Sequence, residues 1–262
     1  MFETYILPVL IFIGLGLAAG LLLSVASVLF HVPTDERVTK VRACLPGINC
    51  GACGYRGCDD YAAAIVEKGA KTNLCIPGGD TASKQISSVL GTEYQDVIEQ
   101  VAYVRCNGTP EATSPKYIYT GVSSCAGATA LYSGQGSCAY GCLGFGDCTK
   151  ACIFDAIHVV NQVAVVDPDQ CTGCQRCTIE CPKGLIGMKR KDKPVIVVCS
   201  NRQTGKNTRS VCQNGCIACK KCERSCPHDA IHVTDNLASI DYEKCTSCGT
   251  CVEVCPVGCI KM

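Results

Sequence analysis

The chain opens on an unbroken apolar run: Thr4 to Phe30 carries no charged residue. A helix over that stretch reaches about 40 Å at about 1.5 Å per residue, enough to cross a hydrocarbon core of about 30 Å with some tilt. Met1-Phe2-Glu3-Thr4 offers an acid and no Lys or Arg, the reverse of the leading segment of a secretory signal. Arg37, Lys40 and Arg42 follow the run. The positive-inside rule therefore places the N-terminus outside and the bulk of the chain on the cytoplasmic side of a single-pass anchor. Gly14-x3-Ala18 and Gly16-x3-Gly20 line one face of this helix with small residues, where a partner helix can approach closely. Beyond the anchor the periodic segments are short. Asp59 to Lys68, closed by Gly69, reads as a helix, as do Ser83–Leu90 and Thr92–Gln100, and Val101–Arg105 reads as a strand. The apolar alternation of Asp-Ala-Ile-His-Val at 155–159 and again at 229–233 predicts two further strands.

Those two strands belong to a duplication with an offset of 74 residues. It takes Cys148, Cys152, Cys171, Cys174, Cys177 and Cys181 onto Cys222, Cys226, Cys245, Cys248, Cys251 and Cys255. Upstream it takes Cys125 to Cys199, Cys138 to Cys212 and Cys142 to Cys216. The expected organisation is α+β: a transmembrane anchor at 1–31, a four-Cys domain at 32–80 and a connecting segment at 81–135. Two tandem ferredoxin-like modules follow at 136–188 and 210–262, joined by a basic linker at 189–209.

Cysteine dominates the composition: 26 of 262 residues are Cys, while aromatics are 6% and Trp is absent. Small modules built around inorganic clusters fit better than a large aromatic core, since ligation supplies folding free energy that a small core cannot. So many reduced thiols point to the cytoplasmic side of a membrane. A net charge of +1 gives no reason to expect nucleic acid as a partner.

The spacing of the thiols carries the chemistry. Cys245-x2-Cys248-x2-Cys251-x3-Cys255-Pro and Cys216-x2-Cys219-x2-Cys222-x3-Cys226-Pro have the ligand pattern of two-cluster ferredoxins, in which the fourth Cys of each run binds the other run's cluster. A disulfide scaffold fits poorly, because such runs crowd the thiols, and zinc ribbons use paired C-x2-C knuckles instead. In the first module Phe145 stands where the second has Cys219, so the run reads Cys138-x3-Cys142-x5-Cys148-x3-Cys152, with Cys138 expected as the replacement ligand. A separate constellation, Cys50-x2-Cys53-x4-Cys58-x16-Cys75, is framed by Gly51, Gly54 and Gly57 and ends at Pro77-Gly78-Gly79.

Five [4Fe–4S] clusters are thus expected. Their ligand sets are Cys50, Cys53, Cys58, Cys75; then Cys138, Cys142, Cys148, Cys181; then Cys152, Cys171, Cys174, Cys177; then Cys216, Cys219, Cys222, Cys255; and finally Cys226, Cys245, Cys248, Cys251. Cys219 is preferred to Cys212 in the fourth set because its spacing is the commoner one. Cys44, Cys106, Cys125, Cys199, Cys212 and Cys259 are left spare. His158 and His232 lie in the predicted strands and are not needed as ligands. Cys125-Ala-Gly-Ala-Thr lacks the residues for covalent flavin attachment, and no nucleotide-binding fingerprint is present. The anchor has no ionisable residue at mid-depth, so it does not suggest an ion path.

The order of these parts resembles the B subunit of the Rnf complex, a membrane-bound ferredoxin:NAD+ oxidoreductase that moves Na+ or H+. The specific matches are Asn49-Cys-Gly-Ala-Cys-Gly-Tyr-Arg-Gly-Cys, Cys75-Ile-Pro-Gly-Gly and Cys138-Ala-Tyr-Gly-Cys-Leu-Gly-Phe-Gly-Asp-Cys. The resemblance implies that electrons enter from reduced soluble ferredoxin, pass through the clusters and leave to other membrane subunits of the complex. Ion movement and NAD+ reduction would occur in those subunits, with no catalytic residue in this chain. Other readings of the same pattern are a related subunit that reduces an iron–sulfur transcription factor, or a stand-alone polyferredoxin. A corrinoid-protein or carbon monoxide dehydrogenase subunit would also need a large barrel domain, for which there is no room. Lys183, Lys189, Arg190, Lys191, Lys193, Arg202, Lys206 and Arg209, against the single acid Asp192, mark an expected docking surface for an acidic ferredoxin. A solvated linker or a patch facing anionic lipid would have the same composition.

Overall fold

A computed structural model describes residues 6–30 and 35–262; residues 1–5 and 31–34, which fall in the expected anchor and at the start of the expected four-Cys domain, lie outside the described residues. Helix α1 (Leu7–Leu29) is apolar along its length, with a mean hydropathy of 2.6 over Val9–Ser27, and is long enough to cross a membrane. A Cβ built at Gly14, Gly16 or Gly20 meets nothing within 4 Å, so the small face of this helix is open.

Three helices form the unit that follows. In α2 (Glu36–Ala43), the side chain of Asp35 caps the start by accepting from Arg37 N at 2.8 Å. Helix α3 (Cys58–Lys68) begins at Gly57, which has no side chain to cap with; Asn49 Oδ1 accepts from Cys58 N at 2.8 Å in its place. Gly69 ends α3 in the left-handed region with φ 64°. Helix α4 (Gly79–Leu90) packs against α2, and Val41, Tyr61, Ile65 and Ile86 form the buried centre. The Tyr61 hydroxyl donates to Lys71 O at 2.7 Å and accepts from Leu74 N at 3.1 Å, which fixes the segment leading to Cys75.

The expected helix over Thr92–Gln100 does not form. Gly91 stops α4 with φ 66°, and residues 92–99 run without helix along it. Asp80 Oδ1 accepts from Val97 N, Ser83 Oγ donates to Gln95 O and Asn73 Nδ2 donates to Asp96 O. Side-chain bonds to α4 and to the turn before it have replaced the internal bonds a helix would make. Strand β1 (Gln100–Val104) follows.

The rest of the chain consists of two units of like topology. The first continues through α5 (Cys125–Thr129), α6 (Asp147–Ala151), the hairpin β2 (Ile157–Val160) and β3 (Val163–Val166), α7 (Arg176–Glu180) and β4 (Ile186–Arg190). The second runs through β5 (Ile196–Val197), α8 (Gly205–Val211), α9 (Lys221–Ser225), the hairpin β6 (Ile231–Thr234) and β7 (Leu237–Ile240), α10 (Thr250–Glu253) and β8 (Ile260–Lys261). In each unit the last strand pairs antiparallel with the first, β1 with β4 and β5 with β8. Thus the stretch 81–135 supplies β1 and α5, and the stretch 189–209 holds the end of β4, β5 and most of α8.

Strand register also revises the alignment of the two units. Just beyond the outer pairs, Arg105 N donates to Leu185 O at 2.8 Å and Val198 N donates to Cys259 O at 2.8 Å. Leu185 and Cys259 are equivalent by the 74-residue offset, so Arg105 corresponds to Val198 and Cys106 to Cys199. Thirty-one residues separate Cys106 from Cys138, but only twelve separate Cys199 from Cys212. Cys125 lies in the extra length of the first unit, and its sequence match to Cys199 is not structural.

Candidate functional site: thiol cavities along the chain

Each thiol run is shaped by the same backbone device. In Cys216–Cys222, Ala218 and Lys220 have φ of 54° and 58°; in Cys245–Cys251, Ser247 and Gly249 have 60° and 83°; in Cys171–Cys177, Gly173 and Gln175 have 71° and 62°. Left-handed conformations are costly for non-glycine residues and persist where the surroundings require them. Here they turn consecutive N–H groups and thiols inward, a nest that suits an anionic group. The altered run keeps the device: Gly144 and Gly146, equivalent to Ala218 and Lys220, have φ of 76° and 77°, with Phe145 between them where Cys219 stands.

The cavities show which thiols meet. Cys152, Cys171, Cys174 and Cys177 line one cavity. Cys216, Cys219, Cys222 and Cys255 line a second, joined by Cys259. Cys226, Cys245, Cys248 and Cys251 line a third. The fourth Cys of a run therefore sits with the opposite run in both units, and Cys219, not Cys212, stands with Cys216 and Cys222. At one position the cavities group the thiols differently from the expected set. Cys142, Cys148 and Cys181 share a cavity with Cys125, whereas Cys138 lies at a separate cavity that Cys142 also borders. The reason is reach: Ser124 caps α5, and both its hydroxyl and Ala126 N donate to Asp147 Oδ2 beside Cys148, which pins Cys125 against the altered loop. Sequence reasoning missed Cys125 because no local spacing ties it to the run; its signal was an unassigned Cys upstream of a run short of one.

Cys50, Cys53, Cys58 and Cys75 come together around α3 and the turn before α4. Burial pushes the Cys75 thiol up to about 11, and the neighbouring Cys58, Cys53 and Cys50 add to the shift. Burial likewise pushes Cys148 and Cys177 up to about 12 and Cys222 up to about 11. Such thiols ionise when a cation compensates the buried charge. Cys255 and Cys216 are shifted the other way, because Cys259 hydrogen-bonds to both and retains its own proton.

The donor set fits iron–sulfur clusters. Backbone N–H groups of Ala156, Leu185, Ala230 and Ala102 donate to the sulfurs of Cys152, Cys181, Cys226 and Cys171, each at 3.4 Å. Thr172 Oγ1, at the Cys171–Cys177 cavity, is buried without a protein partner. A cluster sulfide would accept from it. Among the described residues no group of three or more His, Cys, Asp or Glu converges tightly enough for a single ion; the thiols instead ring cavities. His158 pairs with Asp155, and His232 lies between Glu223 and Asp229, so both face acids at the surface and line none of these cavities.

The sites adjoin one another. Cys50 lies close enough to Cys174 for its charge to raise that thiol, and a Cβ at Gly173 would meet Ile76 Cγ2 at 2.8 Å. Cys248 alone among the cysteines is exposed.

Comparison with known proteins agrees with this chemistry. Residues 45–77 match an Fe-S cluster family, and residues 170–231 and 210–262 each match a 4Fe-4S dicluster domain family. The chain is 41% identical over its whole length to the B subunit of the ion-translocating oxidoreductase complex of Methanosarcina acetivorans, which it also covers completely. It is 41% identical over its whole length to the B subunit of the Na(+)-translocating ferredoxin:NAD(+) oxidoreductase complex of Acetobacterium woodii, covering 79% of that protein. Over 99% of its length it is 37% identical to the B subunit of the proton-translocating ferredoxin:NAD(+) oxidoreductase complex of Clostridium ljungdahlii, covering 93% of that chain.

Proposed function

Since this chain belongs to the family of B subunits of ion-translocating ferredoxin:NAD+ oxidoreductase (Rnf) complexes, we propose that it is the membrane-anchored wiring of such a complex. It takes electrons from reduced soluble ferredoxin and relays them through [4Fe–4S] clusters to other membrane subunits, where NAD+ reduction and Na+ or H+ movement occur. It is an electron-transfer subunit of a translocase, with 4Fe–4S domains as its working parts. The observation that carries the reading is the convergence of thiols in fours at successive, adjoining sites.

When bound, each [4Fe–4S] cluster supplies a one-electron carrier whose potential follows its charge, hydrogen bonds and exposure. Five sites would hold them: Cys50, Cys53, Cys58, Cys75; Cys125, Cys142, Cys148, Cys181; Cys152, Cys171, Cys174, Cys177; Cys216, Cys219, Cys222, Cys255; and Cys226, Cys245, Cys248, Cys251. In this reading the last four sites form tandem ferredoxin-like modules on the cytoplasmic side, and α1 is their single-pass anchor.

Ferredoxin docks, on this reading, along the basic stretch between Lys183 and Arg209. Arg190, Lys191 and Arg202 are paired there with Asp192, Glu99 and Asp235. Lys183, Lys189, Lys193 and Arg209 donate to backbone carbonyls and form no ion pair with an acid among the described residues. The experiment is anaerobic purification of the native membrane complex and addition of reduced ferredoxin. EPR signals of this subunit's clusters should appear and then decline when NAD+ is added. A complex whose clusters in this subunit stay oxidised beside reduced ferredoxin would overturn the assignment.

A further inference from the structure

Four cysteines outside those five sites meet where the two units join. Cys106 and Cys138 come from the first unit, Cys199 and Cys212 from the second, and all four line one cavity of about 460 Å³. The cavities at four of the other thiol sets measure about 300 to 420 Å³, so this one is no smaller. The arrangement is pseudo-symmetric. Strand register makes Cys106 the counterpart of Cys199, and the 74-residue offset makes Cys138 the counterpart of Cys212. The hydrogen bonds repeat with the thiols: Cys142 N donates to Cys106 Sγ at 3.3 Å, and its equivalent Cys216 N donates to Cys199 Sγ at 3.3 Å. Each unit thus offers two thiols and one donor that comes from the run lining its own neighbouring cavity.

The surroundings suit an anionic guest. Gly108 N donates to Cys106 Sγ at 3.4 Å, and the Nδ2 of Asn201, which is 1% exposed, donates to Cys138 Sγ at 3.5 Å. Arg105 is among the residues bordering the cavity; its Nη2 donates to Gly184 O at 2.6 Å, and its Nε is buried without a protein partner. A buried guanidinium N–H without an acceptor is costly, and an iron–sulfur cluster with four thiolates would carry the compensating charge. The units are also knit together around this point. Ser200 Oγ donates to Arg105 O, Asn214 Nδ2 to Asn107 O, and Thr113 Oγ1 to Val211 O. Ligands drawn from both units are therefore held in fixed relation before any metal arrives.

We infer that Cys106, Cys138, Cys199 and Cys212 ligate a sixth [4Fe–4S] cluster, set between the two units as the one-electron link from one to the other. The inference rests on the reading that the other thiol sets hold clusters of the same kind. Each electron it accepts from a cluster of one unit passes to a cluster of the other, so it ends each transfer unchanged. Only Cys44 and Cys259 then remain outside the ligand sets.

The test is anaerobic iron and sulfide analysis of the full-length chain, with clusters reconstituted, alongside two variants. One is Cys106→Ser with Cys138→Ser, the other Cys199→Ser with Cys212→Ser. Six clusters give about 24 iron per chain and five give about 20. Each double variant should lose about four iron, and combining all four substitutions should lose no more than either alone, since both halves serve one cluster. Wild-type iron near 20 that neither variant lowers would overturn the sixth cluster and leave the five-site reading standing. One zinc per chain, lost in both variants, would also overturn it. Wild-type iron near zero would fail the five-site reading as well. Should the variants not fold, the wild-type count by itself decides between about 20 and about 24.

Discussion

Phe145 packs edge-on against Tyr119, with ring centroids 5.5 Å apart and planes at 61°. It does so at the position where the second unit carries Cys219, on a loop with the same left-handed turns. An aromatic pair stands where the second unit has a thiol, and Cys125 lines the corresponding cavity of the first unit. The duplicated units are thus alike in backbone but differ in where one thiol is drawn from.

Replacement of Cys125 by Ser should therefore cost about four iron per chain, one cluster's worth. The double variant Cys125→Ser, Phe145→Cys should regain them, because the loop at position 145 has the same left-handed turns as the loop that carries Cys219. Lost aromatic packing would lower stability by about 1 kcal/mol. Iron analysis with EPR spin counting reads the result. A Cys125→Ser variant that keeps its full iron would show that the site closes with another thiol.

Gly78 lies under the four-Cys unit. A Cβ there would stand 2.6 Å from Ala82 Cβ and 3.1 Å from Cys75 Sγ. Gly78→Ala must displace either α4 or the Cys75 ligand, an overpacking cost of about 1–3 kcal/mol. The variant should unfold at lower temperature and lose iron from this unit first, while a Gly54→Ala control meets no neighbour within 4 Å and tests backbone strain alone. Equal melting temperatures for Gly78→Ala and wild type would show that the turn relaxes without loss.

Much of this architecture is legible in the sequence because cluster loops are local. A C-x2-C-x2-C run with left-handed turns folds around its ligand within a few residues, so spacing alone locates Cys171–Cys177, Cys216–Cys222 and Cys245–Cys251. The thiol at the altered run is not legible, since Cys125 reaches its cavity through the α5 cap on Asp147, a contact spanning more than twenty residues. The relation of Cys106 to Cys199 is hidden by the extra length before Cys138, and only strand pairing exposes it. Thr92–Gln100 has the composition of a helix and is not one for a similar reason: bonds to Asp80, Ser83 and Asn73 outweigh local propensity.

Cys259 stands 2% exposed at the Cys216–Cys255 cavity, with its sulfur 3.6 Å from Cys255 Sγ. Its retained proton stabilises negative charge on the neighbouring sulfurs, and a reduced cluster carries more of that charge than an oxidised one. Cys259→Ala should keep the cluster but shift its midpoint potential negative by roughly 40 mV, the equivalent of about 1 kcal/mol for one electron. Redox titration followed by EPR checks it. An unchanged potential would mean that Cys259 serves packing alone.

Lys206 and Arg209 are exposed one turn apart on α8, opposite the buried Thr208. Neither is paired with an acid among the described residues, unlike Arg190, Lys191 and Arg202 on the same stretch. Charge reversal at Lys189–Lys191 would disturb existing ion pairs, so α8 is the cleaner test of docking. Arg209 also lies near enough to Cys212 for its charge to lower that thiol, against the larger effect of burial, which raises it. A partner seated on α8 would thus approach the junction between the units. Lys206→Glu with Arg209→Glu should slow reduction by ferredoxin on the order of tenfold at low salt and flatten the dependence of the rate on ionic strength. Stopped-flow reduction, with iron content confirmed as unchanged, measures both. If rate and salt dependence match the wild type, ferredoxin meets the chain elsewhere, and the exposed Cys248 site is the next surface to probe.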